Sequence, residues 1–204
     1  FGSEEAATTA MQAVQNVDLP PEFAGVVDDY EDTFGSRDRF LWQWLHTVFP
    51  LFELSCIDET HLEAVRTAKL ATSMIVVVLD DLGETPERYA TFQEAATVPF
   101  DHQSPSLDRE GVDPEPVEFL EDVWAFTLET LESAPRYEEY AETFVFDMRQ
   151  VVSAIEYAHH VNEYPRLGNV VEAPTYGPPH ILLFQTADIA LMHSPSFSFS
   201  ELPV

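Results

Sequence analysis

Basic residues are the scarcest class in this chain of 204 residues. Nine lysines and arginines stand against 37 aspartates and glutamates, so the formal net charge at pH 7 is -28. Lys69 is the only lysine. A surface with this excess of negative charge repels nucleic-acid phosphates and anionic membranes. We therefore expect neither a nucleic acid nor an anionic membrane surface among the partners.

Apolar residues, in contrast, are not lacking. Hydrophobic residues make up 45% of the chain and aromatic residues 12%, which excludes a disordered acidic tail. An acid surplus beside a normal apolar content and almost no lysine indicates a halophilic protein, because high salt screens the repulsion among acids. The acidity therefore predicts the habitat more than the partners.

Cysteines and long apolar runs are also scarce. Cys56 is the single cysteine, so no disulfide can form within the chain, and this fits a reducing compartment. No segment matches a signal peptide, and none reaches the ~20 apolar residues of a membrane-spanning helix. We expect a cytoplasmic protein without a membrane span.

Alternating strand patterns, internal repeats and glycine-rich phosphate loops are absent as well. Apolar positions recur instead at steps of three and four residues, which is typical of helices. The pattern predicts helices over 22–33, 37–55, 62–84, 86–96, 117–133, 137–163 and 178–193, with a surface loop over 99–116. The sequence therefore predicts an all-α fold, an antiparallel helical bundle.

Two regions are expected along the chain. Residues 1–36 are interpreted as a partly ordered N-terminal lead-in, and residues 37–204 as the helical domain. The final residues, FSFSELPV, are typical of the start of a connection. We expect the domain to continue beyond Val204.

The stretch from Leu62 to Glu84 carries the strongest functional signal. Its apolar helical run ends in Asp80, Asp81 and Glu84, which project from one sector of a helix. Carboxylates are costly to gather at a helix C-terminus, where the macrodipole disfavours anions. The pattern indicates a site for a hard cation such as Mg²⁺, and an acidic turn in solvent is the alternative.

With this motif, VVVLDDLGE, the chain resembles the class I terpene synthases, whose aspartate-rich DDxxD or DDxxE motif ends a long apolar helix. The resemblance implies a helical bundle around a central cavity. It also implies that Asp80, Asp81 and Glu84 hold Mg²⁺, which helps to ionise an isoprenoid diphosphate such as farnesyl or geranylgeranyl diphosphate. The leaving diphosphate needs its charge neutralised before a carbocation can form.

Aromatic residues of the helix from Arg37 are candidates for the wall of that cavity, since aromatic faces stabilise cations. These substrate-binding candidates are Trp42, Trp44, Phe49 and Phe52. An aromatic stripe can equally belong to an ordinary core, so both interpretations stay open.

A second point of resemblance lies about a hundred residues further on. Thr175-Tyr176-Gly177 stands where the family has a helix break, which implies catalytic roles for Thr175 and Gly177. The family's arginine that senses the diphosphate corresponds to Glu172, so Arg149 and Arg166 become the candidate substrate-binding arginines. The family's second metal motif is absent from these residues and is expected after Val204.

Two alternative functions remain. A protein of this fold without catalysis could bind an apolar ligand or a partner subunit, and a homodimer is possible. Glu156-x-x-His159, followed by His160 and Glu163, is typical instead of a di-metal carboxylate bundle. That architecture needs a second such element, and the nearest approach is Asp58 to His61.

Overall fold

The computed structural model describes residues 4–35, 39–54, 57–83, 114–163 and 183–194. These residues form seven α-helices: α1 (Glu4–Gln15), α2 (Pro21–Phe34), α3 (Phe40–Val48), α4 (Leu62–Gly83), α5 (Pro114–Glu132), α6 (Tyr137–Glu163) and α7 (Leu183–Met192). Short 3₁₀ helices cover Phe49–Phe52 and Glu59–His61. The described ranges contain no strand, which confirms the all-α prediction. A bundle around a central cavity stays a prediction.

Helix α4 is the centre of the packing. It contacts α5 most extensively, and it also touches α2, α3, α6 and α7. Its apolar residues at helical spacing are fully buried, among them Leu70, Met74, Ile75, Val78 and Leu79. Since each is surrounded by other helices, their transfer from water is the main stabilising contribution of α4.

Two small polar residues of α4 are buried with their hydroxyl groups hydrogen-bonded. The hydroxyl of Thr72 donates to the carbonyl of Ala68, and that of Ser73 to the carbonyl of Lys69, both at 2.8 Å. These bonds satisfy the hydroxyls, so the helix can pass through the core with small polar side chains on its surface.

Lys69 itself lies inside the protein, with 1% of its surface exposed. Its ammonium is 6.0 Å from the centre of the Phe49 ring, a distance at which a cation and an aromatic face attract each other. Burial is the main cause that lowers the pKa of Lys69. The single lysine is therefore a core residue.

Helix α2 belongs to the same core as the later helices. Pro21 occupies its first turn, where a missing N–H costs nothing, and Gly35 ends it with φ 77°. Phe23, Val27 and Tyr30 are fully buried. The short helix expected over 22–33 is therefore present, and it packs against the helices that follow.

Arg136 connects the α5–α6 turn to the end of α7. Its backbone N–H donates to the carbonyl of Met192 at 3.0 Å, and its guanidinium donates to the carbonyl of Ser194 at 2.9 Å. These bonds satisfy carbonyls that a helix end leaves without a partner. The C-terminal end of α7 is thereby fixed to the turn.

None of the helices in the described ranges has the length and apolar character that crossing a membrane requires.

Candidate functional site

Asp80 and Asp81 point in different directions at the end of α4. Successive residues of a helix are about 100° apart, so adjacent side chains project in different directions. Asp81 is 7% exposed, whereas the Asp80 side chain is 48% exposed. The structure thus separates the pair into one buried and one solvent-facing carboxylate.

Tyr30 of α2 holds the buried carboxylate. Its hydroxyl donates to Oδ2 of Asp81 at 2.8 Å, across 51 residues of sequence. The tyrosine ring is fixed in turn by aromatic contacts with Phe34, Trp42 and Phe119, at centroid distances of 5.0, 5.8 and 5.9 Å. The orientation of Asp81 therefore depends on packing between α2 and α4.

His159 of α6 approaches the exposed carboxylate. Its Nε2 lies 3.9 Å from Oδ1 of Asp80, beyond hydrogen-bond distance, and the imidazole side chain is 12% exposed. This residue comes from the Glu156-x-x-His159 element that the sequence analysis singled out. The two acidic motifs, one on α4 and one on α6, thus meet at Asp80 and His159.

The fit of this site to Mg²⁺ depends on the number of oxygen ligands. Mg²⁺ is commonly held by one or two carboxylates together with substrate phosphates and water, so a full protein cage is unnecessary. Asp80 offers one half-exposed carboxylate, and no arginine or lysine among the described residues pairs with it. Asp80 therefore offers one carboxylate of the kind that Mg²⁺ binds.

A cage made wholly of protein ligands is not found here. Within the described residues, no group of three or more histidine, cysteine, aspartate or glutamate side chains could hold a metal ion. The di-metal alternative is not assembled in these ranges: Glu59–His61 forms a 3₁₀ turn before α4, about 27 Å along the helix from Asp80.

The aromatic candidates do not form one surface. Trp42 has no exposed area, and its ring packs edge-on against Phe23 at 5.9 Å and Tyr30 at 5.8 Å. Trp44 is 45% exposed. Phe49 is buried beneath Lys69. Trp42 and Phe49 therefore lie in the core, and Trp44 does not share a wall with them.

The remaining candidates are only partly covered by the structure. Arg149 lies on α6 with an exposed side chain. The other candidates lie outside the described residues or side chains: Phe52, Glu84, Glu163, Arg166, Glu172, Thr175 and Gly177. Their proposed roles stay predictions.

An acidic cleft lies between α2 and α5. Its volume is about 380 Å³, and its charged lining consists of Asp29, Asp32, Glu115 and Asp122, with Phe119 on its apolar side. Four carboxylates repel an anionic ligand unless cations accompany it. The signal for this cleft is the run Asp28 to Asp32, DDYED, which the sequence analysis did not consider.

A second feature missed from the sequence is a pair of acids between α6 and α7, the buried Asp188 and the partly buried Asp147. Burial is the main cause that raises the pKa of Asp188 to about 8, and the neighbouring Asp147 carboxyl is the second cause. The amide of Gln150 donates to Oδ1 of Asp147 at 3.0 Å, and the amide of Gln185 donates to its backbone carbonyl at 2.6 Å. Asp188 is the only acid in the mostly apolar helix α7, and that isolation was the available signal.

Comparisons of the chain with protein-family models, curated proteins and solved structures found no match.

Proposed function

We propose that this protein is a Mg²⁺-dependent terpene synthase that ionises an isoprenoid diphosphate. The observation that carries the proposal is the half-exposed Asp80 carboxylate at the C-terminal end of α4, beside a buried Asp81. The helix dipole disfavours an anion at this position, and a bound cation compensates for it. The resemblance of VVVLDDLGE to the family's first metal motif supplies the substrate class.

The two aspartates have different roles in this proposal. Asp80 is the proposed ligand that faces solvent, and Glu84 is the expected second ligand. Asp81 keeps its bond to Tyr30 and positions the end of the helix. Bound Mg²⁺ would supply the positive charge that a leaving diphosphate needs.

The test is Asp80→Ala in the full-length protein, with farnesyl and geranylgeranyl diphosphate as substrates. Loss of one carboxylate ligand weakens Mg²⁺ retention, and we expect turnover to fall by about 10²-fold or more. Products are measured by gas chromatography with and without Mg²⁺. The fold should be retained, because the Asp80 side chain is half exposed and its removal opens no cavity in the core.

Glu63→Ala provides the matched control, since Glu63 is an exposed acid in the first turn of the same helix. We expect this variant to retain wild-type turnover. Full activity in Asp80→Ala, or no product from either diphosphate with the wild type, would reject the enzymatic proposal.

A second candidate function is binding of a partner or an apolar ligand without catalysis. The observation that favours it is the group of exposed apolar side chains after the start of α3, namely Trp44, Leu51 and Leu54. Exposed apolar groups of this kind occur where proteins bind one another. In that case a double variant, Trp44→Ser with Leu51→Ser, loses the association with the partner, which light scattering measures. The Asp80→Ala variant keeps this association.

A further inference from the structure

Two histidines from distant parts of the sequence meet at the opposite end of α4 from Asp80. His61 ends the 3₁₀ turn that precedes α4, and His193 follows the last turn of α7. Their ring centroids are 5.9 Å apart, with an angle of 58° between the ring planes. Eighteen residues of helix, about 27 Å, separate His61 from the Asp80 site.

The proton on His193 is fixed by its surroundings. Its Nδ1 lies 2.7 Å from the carbonyl oxygen of Ile189, and a carbonyl can only accept, so Nδ1 carries the hydrogen. The Nε2 atom of the neutral ring therefore presents a lone pair. This bond to a backbone carbonyl is the arrangement that orients metal-binding histidines in proteins.

The lone pair of His193 has no hydrogen-bond donor among the described residues, although the residue is only 1% exposed. A buried polar atom without a partner is uncommon in folded proteins and calls for an explanation. Burial is also the main cause that lowers the pKa of His193, which keeps the imidazole neutral. A neutral, oriented imidazole is the form that binds transition metals.

The spacing of the rings suits a shared ion. Zn–N bonds are about 2.0–2.1 Å long. Two imidazoles on one ion then have ring centroids about 5.2 Å apart if the N–Zn–N angle is tetrahedral, and about 6.4 Å apart if the two nitrogens lie on opposite sides of the ion. The observed 5.9 Å lies inside that interval. His61 is partly exposed, so water can complete the coordination.

Negative charge next to His61 favours a cation as well. The interaction between Asp58 and His61 is one cause that lowers the pKa of Asp58, after its hydrogen bonds to Thr60. The Asp58 Oδ1 atom accepts from the backbone N–H and the hydroxyl of Thr60, at 2.9 and 2.7 Å. Asp58 therefore contributes charge near the site while its Oδ1 caps the turn.

We infer that His61 and His193 form a binding site for a divalent transition-metal ion such as Zn²⁺, with water as the remaining ligands. The ion would join the start of α4 to the end of α7. The site is independent of the proposed Mg²⁺ site, because it uses nitrogen ligands at the other end of α4.

The test is calorimetric titration with Zn²⁺ in excess Mg²⁺, which occupies sites made of carboxylates. The protein carries Cys56→Ser, so that a thiolate cannot be the ligand. We expect one Zn²⁺ per chain, and His61→Ala should weaken its binding at least about tenfold, since losing only the hydrogen-bond partner of a metal ligand already costs about 10–100-fold. Because His61 is partly exposed, circular dichroism should show an unchanged fold.

Three further variants decide the interpretation. His193→Ala should weaken Zn²⁺ binding in the same way, while His46→Ala, a partly buried histidine on α3, should not. Asp80→Ala should bind Zn²⁺ like the wild type, which separates this inference from the proposed enzyme. Equal Zn²⁺ affinity in His61→Ala and the parent protein would overturn the inference and assign the ion to the acidic surface.

Discussion

At the scale of single residues, the sequence predicts the acid pair Asp80 and Asp81 but not the side chains that contact it. The motif at Asp80 and Asp81 is visible because it interrupts an apolar run. Its partners are not, because Tyr30 and His159 reach it only after α2 and α6 pack against α4. Helical geometry explains why adjacent aspartates have unequal exposure, a difference that the prediction of one shared sector did not include.

Removing the Tyr30 hydroxyl should destabilise the protein. Tyr30→Phe deletes a hydrogen bond to a buried carboxylate, which costs about 1–3 kcal/mol, and the ring contacts remain. For a chain of this size we expect Tm to fall by about 2–12 °C, measured by circular dichroism. Tyr137→Phe, at a partly buried tyrosine on α6, is the control and should melt like the wild type.

At the scale of helices, periodicity predicted most of the elements that the structure describes. The expected helices over 62–84 and 137–163 correspond to α4 and α6, because both have long apolar faces at steps of three and four. Within the helix expected over 37–55, the chain changes from α3 to a 3₁₀ helix at Phe49 and Pro50, because proline lacks the N–H that an α-helix needs. Pairing between helices was not predictable, since periodicity shows a face but not its partner.

The interface of α6 and α7 should weaken as the pH rises. Asp188 has a pKa of about 8 in the folded protein, against 3.8 for the free residue. The folded state therefore holds a proton that the unfolded state releases between these values, so stability falls from about pH 4 to pH 8. Asp188→Asn removes this titration and should raise Tm at pH 8 by several degrees.

Thermal melts from pH 5 to pH 8 measure the effect. The difference in Tm between Asp188→Asn and the wild type should grow with pH. Glu142→Gln, at an exposed acid on α6, makes the same carboxyl-to-amide change outside the core and serves as the control. A constant difference across the pH range would show that the Asp147–Asp188 pair does not hold an extra proton.

At the scale of the whole molecule, charge dominates the expected behaviour. The net charge of -28 is distributed over a chain with few compensating cations, so the compact state repels itself. We expect Tm to rise steadily between low salt and molar KCl, because the screening length falls from about 30 Å at 0.01 M to about 3 Å at 1 M.

A neutral osmolyte serves as the control that distinguishes screening of the carboxylate charges from a general stabilisation of the folded state by solute. Sucrose at matched osmolality should raise Tm less than KCl does, since an uncharged solute does not screen carboxylates. A Tm that is independent of salt would contradict the halophilic interpretation of the composition.

The buried Lys69 has a practical consequence for handling the protein. Its side chain carries the only ε-amino group in these 204 residues, and the folded core shields it from solvent. Acylating reagents directed at amines should therefore leave Lys69 unmodified in the native state and acylate it once the chain unfolds. The mass increase at Lys69 then reports the unfolded fraction, and amine-based crosslinking or surface immobilisation through side chains should fail for the folded protein.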